Sequence, residues 1–151
     1  MNDQEFEEMV QKLQSEVHDK AKESLGEKGF DRWQNLKYCG MIVDADSMAR
    51  LTGGCGDTMT MYLKVKDGRV VQAGFETDGC GSSAVAGSFA AELAIGKAFD
   101  EVLDMTGADV LREIGTFPEA EEHCAYLAVQ TLQEALNSYL VAEAKGDKAS
   151  S

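Results

Sequence analysis

Apolar residues along the chain recur with two different periods. From Glu5 to Leu25 the positions Phe6, Met9, Val10, Leu13 and Val17 follow spacings of three and four, which predicts an amphipathic helix ended by Gly26 and Gly29. Trp33 to Thr52 is polar and irregular, with one short strand expected around Gly40 to Val43. From Thr58 to Lys66 the period changes to two. Met59, Met61, Leu63 and Val65 alternate with Thr60, Lys64 and Lys66, and Tyr62 blurs the second face. Val71, Ala73 and Phe75 repeat the alternation after Lys66-Asp67-Gly68, so the two runs form a β-hairpin. Gly68 suits the left-handed position of a three-residue loop. That loop pairs Val65 with Arg69, Leu63 with Val71, Met61 with Ala73 and Met59 with Phe75. Continued outward, it sets Asp57 opposite Thr77 and Cys55 opposite Gly79. A slip of one residue would turn the apolar faces apart.

Beyond the hairpin the pattern is helical again. Ser82 or Ser83 can cap a helix of small residues through Leu93, with Gly87 marking a close approach. Phe99 to Ile114 reads as two short helices broken at Thr106-Gly107. Pro118 and the acids Glu119, Glu121 and Glu122 open a last helix, whose stripe runs Ala125, Ala128, Val129, Leu132, Leu136, Tyr139 and Leu140. After Ala144 the chain is polar, and a disordered tail is expected over 145–151.

Length and composition narrow the class. A chain of 151 residues is about one domain, long enough to bury a core without disulfides. It carries no apolar run of transmembrane length and no basic-then-apolar start, so a cytoplasmic protein with reduced cysteines is expected. The formal net charge of −13 argues against nucleic acid and anionic membrane surfaces as partners.

Three of the four cysteines stand among residues that suit a metal or cluster site. Cys55 lies in Gly53-Gly54-Cys55-Gly56-Asp57, Cys80 in Asp78-Gly79-Cys80-Gly81-Ser82, and Cys124 follows His123. Glycines beside a thiol allow the backbone to come close to a ligand. Asp57 and His123 add harder donors to the soft ones. Three thiolates with one harder ligand suit tetrahedral Zn²⁺ or cluster iron, although no Cys-x-x-Cys pair is present, and three unrelated buried cysteines remain the alternative. The expected hairpin brings Cys55 and Cys80 to one end, which favours a shared site. Cys80 precedes a helix start, and Cys124 lies at or near another, where the dipole favours thiolate. Cys39 reads as a small buried residue, with an extra sulfur relay or ligand as the alternative. His18, without a cysteine neighbour, reads as a surface residue.

In their order and separations, Cys55-Gly56-Asp57, Thr77-Asp78-Gly79-Cys80-Gly81-Ser82 and His123-Cys124 resemble the IscU/NifU-type iron–sulfur cluster assembly scaffolds, over about Asn35 to Tyr139. The resemblance implies an α+β fold with a three-stranded antiparallel sheet and helices packed on it. The division expected is an N-terminal amphipathic helix extension over 1–30, a scaffold domain over 31–144 and the tail. It implies a non-enzymatic scaffold that assembles a transient [2Fe–2S] cluster from iron and persulfide sulfur. A cysteine desulfurase supplies that sulfur, and apo iron–sulfur recipient proteins take the cluster; Zn²⁺ can occupy the same site. Cys55, Cys80 and Cys124 match the cluster ligands and sulfur acceptors, Asp57 the carboxylate that keeps the cluster labile, and His123 the alternative fourth ligand. Cys124 is the candidate persulfide acceptor.

The chain departs from the pattern in places. The Leu-Pro-Pro-Val-Lys loop read by a dedicated Hsp70-type chaperone is here Phe117-Pro118-Glu119-Ala120-Glu121, which argues against release by that route. Asn-Pro-x-Asn-x-Gly becomes Asn35-Leu36-Lys37-Tyr38-Cys39-Gly40. Two other functions compete: a zinc-dependent SufU-type sulfurtransferase acceptor and a structural zinc protein. The SufU type has a longer segment between its second and third cysteines and no histidine before the third, so His123 and the short segment here favour the scaffold.

Overall fold

A computed structural model describes residues 2–54 and 56–150, with the side chains beyond Lys145 excepted; Met1, Cys55 and Ser151 lie outside the described residues. The elements in order are α1 (Asp3–Gln34), β1 (Ser47–Thr52), β2 (Thr58–Lys66), β3 (Arg69–Thr77), α2 (Gly81–Ala94), α3 (Phe99–Leu103), α4 (Gly107–Ile114), a 3-10 turn (Glu119–Glu121) and α5 (His123–Ser150). The fold is α+β, as expected. Its three strands form one antiparallel sheet in the order β1-β2-β3. Helix α5 packs on β1 and β2, α2 packs on β3 and on α5, and α4 covers both helices.

The hairpin registers differently from the alternation alone. Asp67 and Gly68 have φ of 53° and 76°, so the turn has two residues and pairs Lys66 with Arg69. Asp-Gly is the sequence that a two-residue turn with positive φ at both positions selects. A bulge follows, and Val65 pairs with Val70 but Lys64 with Gln72. Val71 is the extra residue and turns out to solvent at 43 % exposure, while Val70 takes the buried place. Beyond the bulge, Met61 pairs with Phe75 and Met59 with Thr77. The apolar faces agree because the shift from the expected register is two residues. Asp78 then lies by Thr58, whose N–H donates to the Asp78 carboxylate at 2.7 Å.

Met59, Met61, Leu63 and Phe75 are fully buried against α2 and α5. Along α5, Ala125, Ala128, Val129, Leu132 and Leu136 are buried as the stripe predicts. Phe75 and Met59 occupy the space beside Gly87, the close approach read from the sequence. Thr60 and Tyr62 are buried on the opposite face of β2, which explains the blurred alternation of this central strand.

Three expectations fail in the segments before the hairpin. No strand forms at Gly40 to Val43. Instead Tyr38 and Gly40 bond to the backbone of Phe75, a single bridge along the open edge of β3, and β1 lies in the stretch read as irregular. Cys39 is exposed rather than buried, because this bridge holds its backbone on the outside edge. Helix α1 does break at Gly26 (φ 72°) but resumes to Gln34, with Gly29 buried inside it. The break falls within the stretch 1–30 taken as the extension. His18 is exposed and meets Phe30 and Trp33 edge-on across the bend. The stripe of the first segment is left in solvent, with Phe6 and Val17 more than half exposed. Its amphipathic pattern does not bury an apolar face in this chain.

Helix α5 runs on to Ser150 through the stretch expected as a disordered tail. Among the described residues no helix is long and apolar enough to cross a membrane.

Candidate metal site

The open end of the hairpin and the starts of α2 and α5 meet. Cys80 is the N-cap of α2, and neither Ser82 nor Ser83 caps it. Ser83 points elsewhere: its Oγ donates to Asp57 Oδ2 at 3.0 Å and lies 3.3 Å from Cys124 Sγ. Gly79 makes this possible. A Cβ there would stand 2.5 Å from Ser83 Oγ and 2.9 Å from Asp57 Oδ2, so a side chain at 79 would displace the Ser83 and Asp57 side chains.

Cys124 is the second residue of α5 and is 1 % exposed. Around its sulfur lie Ser83, His123 Nε2 at 3.7 Å and Glu121 Oε2 at 3.8 Å. Donor atoms of Asp57, His123 and Cys124 all lie within 4.8 Å of one another. A tetrahedral cation with bonds of about 2.0–2.3 Å holds its donors roughly 3.3–3.8 Å apart. Small side-chain rotations therefore close the set around one ion. Thiolate, imidazole and carboxylate together suit zinc or iron.

Burial pushes the Cys124 thiol up to about 11, against the hydrogen bond from Ser83; nearby Cys80, Glu121 and Asp57 push it in the same direction as burial. Position near a helix start was expected to favour the thiolate. In the metal-free protein, desolvation outweighs the dipole, and the thiol stays protonated at neutral pH.

The expected site residues divide three ways. Asp57, His123 and Cys124 come together. Cys80 stands exposed at the rim, outside that group, and is close enough to act on the charge of Cys124. Cys55 lies outside the described residues. The sequence reading missed two neighbours of Cys124, Ser83 and Glu121. Ser83 is three residues after Cys80 and so one helical turn along the same face, a signal that its reading as a cap obscured.

Comparison with known proteins agrees with this geometry. The family profile described as the NifU-like N terminal domain matches residues 25–145. The chain belongs to that family. Two relatives from Archaeoglobus fulgidus, the iron–sulfur cluster assembly scaffold proteins IscU 1 and IscU 2, are each 38 % identical over 123 residues. That span is 81 % of this chain and 80 % of each relative. A solved structure from Fervidobacterium islandicum, described as an iron–sulfur cluster assembly scaffold protein for the SUF system, superposes with a TM-score of 0.64 at 25 % identity. It covers 77 % of this chain and 98 % of its own. This NifU-like chain thus joins a family of scaffolds and carriers for iron–sulfur assembly rather than of catalysts.

Proposed function

We propose that this chain assembles a [2Fe–2S] cluster on Cys55, Cys80 and Cys124 with Asp57 or His123 as the fourth ligand, and then passes it to apo-proteins. The observation that carries the reading is the convergence of Asp57, His123 and Cys124 at the meeting of two helix starts with the hairpin end. Iron is cargo here, and the donor set fits that use. Oxygen and imidazole hold iron less firmly than a fourth thiolate, so the cluster can leave. Zn²⁺ fits the same donors and occupies the site when iron is absent.

Sulfur arrives as persulfide from a cysteine desulfurase. A site thiolate attacks the terminal sulfur, a new S–S bond forms, and the desulfurase thiolate leaves, with no net oxidation. Two such sulfurs need four electrons to become sulfide. Two Fe²⁺ ions supply two, and an electron donor supplies the rest. Cys124 is the acceptor candidate from the sequence, but its buried thiol must first lose its proton, and cation binding to the sulfur provides that loss. A soluble cytoplasmic setting fits the reduced thiols this chemistry needs.

Anaerobic reconstitution tests the reading. With Fe²⁺, cysteine, a desulfurase and a reductant, the chain should develop visible absorption of a [2Fe–2S] cluster and lose it to an apo-ferredoxin. Persulfide on a site cysteine without any cluster would favour the sulfurtransferase. Neither, with zinc retained, would favour a structural zinc protein.

A further inference from the structure

Glu121 sits in the 3-10 turn directly before α5, and its place there is set by the backbone. Its N–H donates to the Pro118 carbonyl at 2.9 Å, and Pro118 supplies the fixed φ that opens the turn. Neighbouring Glu119 and Glu122 are exposed, whereas Glu121 is half-buried. The Cys124 thiol points at Glu121 Oε2 from 3.8 Å. The same side chain walls a cleft with Cys80, Gly81, Ser82, Trp33 and Pro118. Glu121 thus meets the Cys124 sulfur and lines the same cleft as Cys80.

Its charge is uncompensated. Among the described residues no lysine, arginine or histidine lies within ion-pairing distance of Glu121. A half-buried carboxylate that faces a thiol and has no cation beside it is open to a divalent ion arriving at that thiol. Aligned on Pro118, the fifth position of the Leu-Pro-Pro-Val-Lys pattern is Glu121 in this chain. A lysine there would repel a cation, and a glutamate attracts one.

We propose that Glu121 is a further metal-ligating carboxylate of this site, giving an oxygen to the divalent cation that Cys124 binds. The inference rests on the reading that these donors take up iron. It adds a hard donor to the thiolate set, in keeping with a site that must release its cargo.

Anaerobic titration of the full chain with Co²⁺ alone tests it, because cobalt stands in for Fe²⁺ and reports its ligands in the visible. Glu121→Gln should weaken Co²⁺ binding about tenfold or more and shift the d–d bands. Glu121→Asp, which keeps the charge, should restore most of the affinity and the wild-type bands, and Glu121→Lys should bind more weakly than the Gln variant. Urea unfolding of the metal-free variants should coincide with wild type, which sets aside a folding defect. Wild-type affinity and bands in Glu121→Gln would overturn the inference, as would equal losses in the Gln and Asp variants. Absence of thiolate-to-cobalt charge transfer in the wild type would instead sink the metal-site reading on which the inference stands.

Discussion

Cys80 and Cys124 each stand at the start of a helix, yet Cys80 is open to solvent and Cys124 is buried to 1 % exposure. Both helix starts offer the same partial positive charge, worth about 0.3–1 kcal/mol at a surface. Removing a thiolate from water costs more than that. Cys124 accordingly sits at about 11 despite its place in the first turn of α5. The difference teaches that a helix start sets the sign of the local field, while burial decides whether the thiol uses it.

The largest effect expected is in thiol reactivity. With a pKa of about 11, Cys124 is thiolate to only about one part in a thousand at pH 8. Alkylation of the metal-free protein, followed peptide by peptide by mass spectrometry, should label Cys80 well before Cys124. The Cys124 rate should climb about tenfold per pH unit until it levels near 11. Equal rates at the two sites would break the comparison.

Asp57→Ala should come next in size. Asp57 accepts from Ser83 and shares the Cys124 group, and the proposed function makes its oxygen a weak, exchangeable ligand. Without it, an assembled cluster should decay several times more slowly under anaerobic conditions, read from its absorbance. Faster decay would remove Asp57 from its assigned role.

Alkaline stability sharpens the contrast further. The folded Cys124 thiol keeps its proton up to about 11, while an unfolded one loses it near 9.0. Between those values the unfolded state binds fewer protons, so this group makes stability fall as pH rises. Urea unfolding from pH 8.5 to 11 should show a smaller alkaline loss in Cys124→Ala than in wild type.

The smallest effect lies away from both cysteines. Tyr38 adopts φ 65° in the edge bridge to Phe75, a left-handed conformation that costs a non-glycine residue roughly 1–2 kcal/mol. Asparagine tolerates it better, and Tyr38→Asn should raise the midpoint of unfolding by up to about 1 kcal/mol in stability. The order of alkylation at Cys80 and Cys124 should be unchanged.

Much of this was legible in the chain. Periods of two and of three to four located β2, β3, α2 and α5, and Thr106-Gly107 marked the break between α3 and α4. Strand β1 was hidden because Ser47–Thr52 is half-polar and pairs along an edge. The bulge was hidden because a valine on either side of it, Val70 or Val71, satisfies the alternation. Asp67-Gly68 carried the correct turn, and the preference for a three-residue loop obscured it.

What the sequence determined by itself was chemistry and local form: soft and hard donors in three linked motifs, the hairpin, and the small-residue helix after Cys80. These follow from residue type and short-range spacing, which any stretch of chain carries with it. Tertiary structure decided which donors meet and in what medium. It turned Ser83 from a cap into a link between Asp57 and Cys124, placed Glu121 against the thiol, left Cys39 and the α1 stripe in solvent, and buried Cys124. Burial and through-space charge depend on partners distant along the chain, so no local pattern could encode them.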